Sequence, residues 1–320
     1  MVKPELFTKI VDFTPVFLRK RAIWLISTLL AIFNTLWLCS VVYKNWSLFI
    51  AFQWHIDWKF LAFSFFFYSI NLFIVTLGWY QLVRHFRLGG TFRTHFEIFV
   101  LNELSKRIPG KFWYVAGRIM MYQQYGIRKT EVVVASGLET VLMMNGALIG
   151  YLFATPFSNR GQHLGISLIG LCIASLLLAH PKVINWILVL MKRREVMNDL
   201  SFHQFIGLLL LYSSGWLCGG YMLYWWLRAL SPSSQLPLFN IIMVWTFTGV
   251  LSNLLWFLPG TFGVRELALT VLISQFVDTP TALVASILLR ILLMGYQLIF
   301  GSFVLLLRAY LKHTEQVTPI

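Results

Sequence analysis

The chain has 320 residues, 58% hydrophobic and only 12% charged, with a mean hydropathy of +0.73. An ordinary soluble domain carries about 25% charged residues, so a soluble globular protein is excluded. The net charge of +14 lies almost entirely in the connections between apolar runs, which points to an anionic lipid leaflet and not to nucleic acid.

In chain order, the first apolar run begins at Ala22 behind Arg19-Lys20-Arg21 and reaches Tyr43 without an A-x-A exit. It reads as an uncleaved first span after a cytoplasmic segment 1–21. Further runs at 60–82, 132–153, 164–180, 203–228 and 281–307 are each long enough to cross about 30 Å of hydrocarbon. Cys39, Cys172 and Cys218 all fall within apolar runs and form no CxxC, so they read as small core residues, with neither a disulfide framework nor a zinc site. No cofactor is expected.

Two segments differ from ordinary spans. Residues 95–118 mix apolar residues with Glu103, Lys106, Arg107 and Lys111 around Pro109-Gly110, and residues 239–277 form two apolar arms, 239–258 and 267–277, around LPGTFGVRE. A Pro-Gly pair breaks a helix, because Pro lacks the N–H and Gly tolerates non-helical angles. Lipid cannot satisfy the freed backbone groups, so each break must be buried in protein or line a wet cavity. The half-helices after Gly110 and Gly260 would aim N–H groups and a positive dipole end at that cavity, which suits a phosphate or carboxylate. Lys111, Arg118 and Arg265 could add charge, while Glu103 and Glu266 read as neutralising neighbouring bases.

Lys and Arg divide unevenly between the two sides. The first 21 residues hold five, the 83–131 connection nine, the 181–202 connection four and the tail two of the 26, which places both termini in the cytoplasm. Pro109-Gly110-Lys111-Phe112 and Pro259-Gly260-Thr261-Phe262 are 150 residues apart, and flanking spans keep nearly that offset. The expected architecture is therefore an all-α membrane protein with one transmembrane domain. It has six full helices plus two broken segments, re-entrant or hairpin, in an inverted repeat of 60–153 and 203–307, followed by a cytoplasmic tail 308–320. Interrupted segments at matching positions of inverted repeats point to a binding site near the midplane.

Glu139 and Arg290 lie inside the 132–153 and 281–307 spans, and intramembrane charge is functional by default. With Thr130 and Thr279 as expected N-caps and Pro280 at the first helical position, the two charges sit about 13 Å and about 16 Å from opposite helix ends. They are expected to interact directly or through a bound headgroup. Asn145, Ser252 and Asn253 supply neutral hydrogen-bonding groups. G-x-S-x-G, H-E-x-x-H and P-loop signatures are missing from the sequence, and the connections leave no room for a soluble catalytic domain. An enzyme is not expected.

RIPGKFWYVAGR, the motif Gly260-Thr261-Phe262-Gly263-Val264-Arg265-Glu266, and Glu139 and Arg290 in the spans that follow together resemble the lysylphosphatidylglycerol synthase transmembrane region family, a flippase-like group. The resemblance covers roughly residues 20 to 310. It implies a membrane domain that translocates an aminoacylated phospholipid in two-domain synthases and also occurs alone, often with lipid-linked glycans or envelope lipids. This chain lacks the aminoacyl-transfer domain, so lipid aminoacylation is not implied. The expected function is transport or binding of an anionic lipid, a phospholipid or polyprenyl-phosphate-linked sugar, in the plasma (inner) membrane. Pro109, Gly110, Lys111, Arg118, Glu139, Asn253, Pro259, Gly260, Gly263, Arg265, Glu266 and Arg290 are the expected substrate-binding residues. The alternatives are a non-transporting membrane partner of a glycosyltransferase or other envelope-lipid enzyme, and a transporter of a small soluble anion.

Overall fold

The computed structural model describes residues 56–103, 112–158, 162–190, 200–254 and 264–317, apart from 87 and 233, together with 36, 40, 43, 44 and 46–52. Most of the first expected span and both Pro-Gly motifs, with Pro109, Gly110, Lys111, Pro259, Gly260 and Gly263, lie outside them. Among the described residues all regular structure is helical. The elements are α1 (Trp46–Ala51), α2 (Trp58–His85), α3 (Phe92–Glu103), α4 (Phe112–Gln123), α5 (Lys129–Ala154), α6 (Gln162–Ala179), α7 (Pro181–Leu190), α8 (Phe202–Leu230), α9 (Leu238–Leu254), α10 (Val264–Ile273) and α11 (Thr279–Val317).

Among the described residues, four helical stretches are long and apolar enough to cross a bilayer: 58–85, 129–157, 202–230 and 279–308. At 1.5 Å per residue each measures about 42 to 45 Å, more than the hydrocarbon layer needs. The ends of these helices are set by local chemistry. The Asp57 carboxylate accepts from the Lys59 and Phe60 N–H groups to start α2, and Arg84 and His85 in its last turn suit the negative end of the helix dipole. Helix α8 opens with a reciprocal capping box between Ser201 and Gln204.

Two expected caps are corrected. Helix α5 begins at Lys129 with Arg128 at the cap and no side-chain capping bond, so Thr130 is already helical. Thr279 is likewise the first residue of α11. Asp278 before it caps the helix, accepting from the Thr281 N–H at 2.9 Å, because a carboxylate is an acceptor of greater strength than a hydroxyl. The 181–202 connection contains the apolar helix α7, and α11 continues to Val317 through most of the expected tail.

Helices α2 and α8 lie side by side at the centre, where the Ser64 hydroxyl of α2 donates to the Met222 carbonyl of α8 at 3.0 Å. Helix α5 packs on α8 and α9, and α9 packs on α8 in turn. Two glycines permit this close approach. A Cβ at Gly146 of α5 would stand 3.0 Å from the backbone at Tyr212 and Ser213, and one at Gly220 of α8 would stand 2.9 Å from the Ile242 Cα of α9. Small residues at such contacts let backbones meet where no hydrophobic drive between helices exists in lipid. Indole hydrogen bonds tie the rest: Trp216 Nε1–H donates to the Met143 carbonyl and Trp226 Nε1–H to the Ala285 carbonyl, linking α8 to α5 and α11. Large apolar side chains such as Phe66 and Phe73 of α2 and Ile299 and Leu306 of α11 remain exposed, the lipid-facing pattern of a membrane helix.

Candidate functional site

In each half of the chain a long helix is followed by two short helices flanking a Pro-Gly motif and then by a second long helix: α2 to α5, and α8 to α11. Each half carries one ion pair between its second short helix and its second long helix.

In the first half, Arg118 of α4 meets Glu139 of α5 through two parallel bonds, Nη1 to Oε2 at 2.5 Å and Nη2 to Oε1 at 3.1 Å. The Tyr114 hydroxyl donates to the same Oε2 at 2.9 Å. The guanidinium carbon lies 3.5 Å from the centre of the Trp79 ring and 4.2 Å from that of Tyr114, so cation–π attraction replaces part of the lost hydration. Behind this shell Trp79 Nε1–H donates to the Tyr122 hydroxyl, which shares a hydrogen bond with His95 Nδ1. Arg118 is 0% and Glu139 1% exposed. Removing two charges from water costs several kcal/mol per ion, and only a bidentate, well-hydrogen-bonded geometry such as this offsets it. In this arrangement protein encloses the pair.

In the second half the signs are exchanged. Glu266 lies on the short helix α10 and Arg290 on the long helix α11, with Nη1 to Oε1 at 2.6 Å. This pair is less enclosed, with 10% of Arg290 and 16% of Glu266 exposed. Glu139 and Arg290, expected to interact directly or through a bound headgroup, are instead each paired with a neighbour from their own half. Asn253 turns its amide back on its own helix, donating to the Gly249 carbonyl at 3.0 Å. Asn145 is fully buried and accepts from the Ser175 hydroxyl of α6 at 2.7 Å, a helix-to-helix polar bond.

Between the two halves lies a cavity of about 210 Å³. Tyr68, Asn71, Phe99, Glu103 and Met143 reach it from the first half, and Trp216, Trp245, Arg265, Leu293 and Gln297 from the second. The Arg265 guanidinium carbon sits 4.4 Å from the centre of the Trp245 ring, and the Trp216 and Trp245 rings are 6.3 Å apart. Gln297 Nε2–H donates to the Tyr68 oxygen at 2.6 Å, joining α11 to α2 across the cavity wall. An apolar pocket with a few convergent polar groups is the usual setting of a ligand site. Among the described residues Arg265 is the expected binding residue that lines it; Arg118, Glu139, Asn253, Glu266 and Arg290 are not among its walls. Sequence reasoning missed Asn71, Tyr68 and Gln297. The signal was present, because Asn71 and Gln297 are carboxamides inside long apolar runs, where such a polar group is costly and therefore informative.

A helical, multi-pass membrane protein with a charged and amide-lined cavity between its two halves is the class defined by this geometry. The chain belongs to the family described as lysylphosphatidylglycerol synthase TM region, whose family model matches residues 24–301. No curated protein and no solved structure matched it.

Proposed function

We propose that the chain is a flippase-like transporter of an anionic membrane lipid, holding the headgroup in the central cavity while the acyl or prenyl tails stay in the bilayer. The observation that carries this reading is the cavity itself, built by both halves with Arg265 placed over Trp245. A cation in a low-dielectric pocket attracts a phosphate far more strongly than one in water. In this reading the two halves act as inverted repeats about the cavity. Both termini face the cytoplasm of the plasma (inner) membrane. The protein does no covalent chemistry, and a glycosyltransferase or other envelope enzyme is a fitting partner to supply or consume the lipid.

The test is scrambling of a fluorescent phosphatidylglycerol in proteoliposomes, read by quenching of outer-leaflet dye. The full chain should expose dye from the inner leaflet, and Arg265→Gln should lose most of that activity at unchanged protein content. Equal quenching with empty vesicles would remove the transport reading.

A further inference from the structure

We propose that the corner where α2 begins and α8 ends holds one glycerophospholipid of the surrounding membrane, with its phosphate on Arg228 and an ester carbonyl on Trp225. Among the described residues this site shares no wall with the central cavity, so it stands or falls apart from the transport function proposed above.

The two helices meet end to start here, because the Asp57 N–H donates to the Ala229 carbonyl at 2.9 Å. Arg228, in the last turn of α8, therefore lies beside the first turn of α2. Its guanidinium carbon is 4.9 Å from the centre of the Phe60 ring, and Nη1–H donates to the Tyr224 hydroxyl at 3.3 Å. Both partners are neutral. A guanidinium has five N–H donors, and among the described residues none of those on Arg228 meets a carboxylate. The Asp57 carboxylate at the same end caps α2 instead, accepting from the Lys59 and Phe60 N–H groups. Arg228 thus keeps its full charge at the end of a membrane helix, the depth at which basic side chains meet lipid phosphates.

A second donor defines the occupant more closely. Among the described residues neither the Arg228 Nε–H nor the Trp225 Nε1–H has an acceptor, and a shielded donor left in that state is costly. Both belong to partly exposed residues, so a small side-chain rotation brings either one to a lipid oxygen. Three residues apart on α8, they share a face, with Trp225 about 4.5 Å nearer the middle of the span. A glycerophospholipid carries its acceptors in the same order, the phosphate outermost and the ester carbonyls on the hydrocarbon side. A free phosphate or a prenyl phosphate has no carbonyl to offer the indole.

The apolar surroundings continue the match. The Trp225 ring stacks on Phe60 at 5.3 Å and touches Phe63 at 5.1 Å, which fixes the indole against α2. From that point Phe63, Phe66 and Phe73, all exposed, descend α2 within about 80° of one another around the helix. They form a track for one acyl chain.

The experiment places the full chain in phosphatidylglycerol nanodiscs containing a trace of phosphatidylglycerol with a diazirine on one acyl chain, and maps the photoadducts by peptide mass spectrometry. Adducts on residues 58–73 of α2 should exceed those on 299–306 of α11, an equally lipid-facing stretch, by about tenfold, the factor expected from one charge-assisted hydrogen bond. Arg228→Gln should remove that excess and leave the α11 adducts unchanged, with the unfolding temperature measured alongside. Trp225→Phe, which keeps a ring and loses the N–H, should lower the excess in part. If Arg228→Gln fails to fold, the parent ratio and Trp225→Phe still decide. Equal labelling of the two stretches in the parent, or an excess that survives both substitutions, would show an annular lipid only and overturn the proposal. Loss of the α2 adducts on adding millimolar glycerol 3-phosphate would also overturn it, by showing a site for a soluble anion.

Discussion

Arg118 and Glu139, 21 residues apart in the chain, face one another through two parallel hydrogen bonds inside a cage of Trp79, Tyr114 and Phe99, with essentially no exposed surface on either. Glu266 and Arg290 make the corresponding contact in the second half by one hydrogen bond and with partial exposure. The two pairs join the same kinds of helices but differ in burial, and burial sets what each contributes.

Glu139→Gln should leave the Arg118 guanidinium charged and unneutralised in the protein interior. Breaking a buried pair costs about 3 to 5 kcal/mol. The variant should therefore show a large fall in thermal unfolding temperature in detergent, or low yield of folded protein. Arg118→Met with Glu139→Leu should recover most of the loss, since two apolar groups leave no charge behind. A single variant as stable as the parent would show that the pair contributes little.

Arg290→Gln should be milder, costing about 1 to 2 kcal/mol, because both partners are partly exposed and joined by one hydrogen bond. Raising salt from low ionic strength to about 1 M, where the Debye length is about 3 Å, should narrow the gap between this variant and the parent. The same change should leave the Glu139→Gln gap nearly constant. Equal salt responses for the two variants would contradict the difference in burial.

Gly220→Ala should destabilise by about 1 to 3 kcal/mol, the usual cost of overpacking, because the new methyl group meets the Ile242 backbone and cannot be relieved by a side-chain rotation. Gly137→Ala is the control. Nothing lies within 4 Å of its added Cβ, so stability should be unchanged or slightly higher. Unfolding temperatures of the two variants, measured side by side, check the expectation.

Asp278 provides a pH-dependent contribution at the start of α11. Burial alone would push its carboxyl up, but hydrogen bonds from the Thr281 N–H, the Thr281 hydroxyl and its own N–H hold it below the ordinary aspartate value. A lowered folded value means that the stabilisation is complete above the unfolded value of about 3.9 and disappears as pH falls through the folded one. The site is exposed, so water screens it. Asp278→Ala should cost about 0.5 to 1 kcal/mol at pH 7, the lower part of the capping range. The gap from the parent should close as pH is lowered from about 4. A gap that persists unchanged at pH 3 would exclude the carboxylate as its source.

The long helices were legible because an apolar run of more than 20 residues has few other uses, and Glu139 and Arg290 stood out because charge inside such a run is rare. Their partners were harder to read. Arg118 lies in a segment so rich in basic residues that nothing in the sequence separates it from Lys111, and only the packing of Trp79 and Tyr114 around it distinguishes a caged guanidinium from a surface one. Glu266 follows Arg265 directly, so adjacency suggested that they neutralise each other; helical geometry instead gives Glu266 to Arg290 and Arg265 to Trp245. The cavity could not be read at all from spacing, since Asn71 and Gln297 meet the same space from helices more than 200 residues apart in sequence. Helix α7 was hidden by its context, because Lys182 and the basic run 192–194 gave the segment 181–202 the charge of a plain connection.

Helix α11 runs without interruption for 39 residues, about 58 Å at 1.5 Å per residue, nearly twice the thickness of the hydrocarbon layer. It is a rigid lever whose inner portion carries Arg290 and the cavity residues Leu293 and Gln297. Val317, its last residue, is about 40 Å farther along the axis than Arg290. A tilt of about 10° pivoting at that ion pair would therefore carry the distal tip through about 7 Å, large enough for a spin label or fluorophore at the tip to register small rearrangements around the cavity.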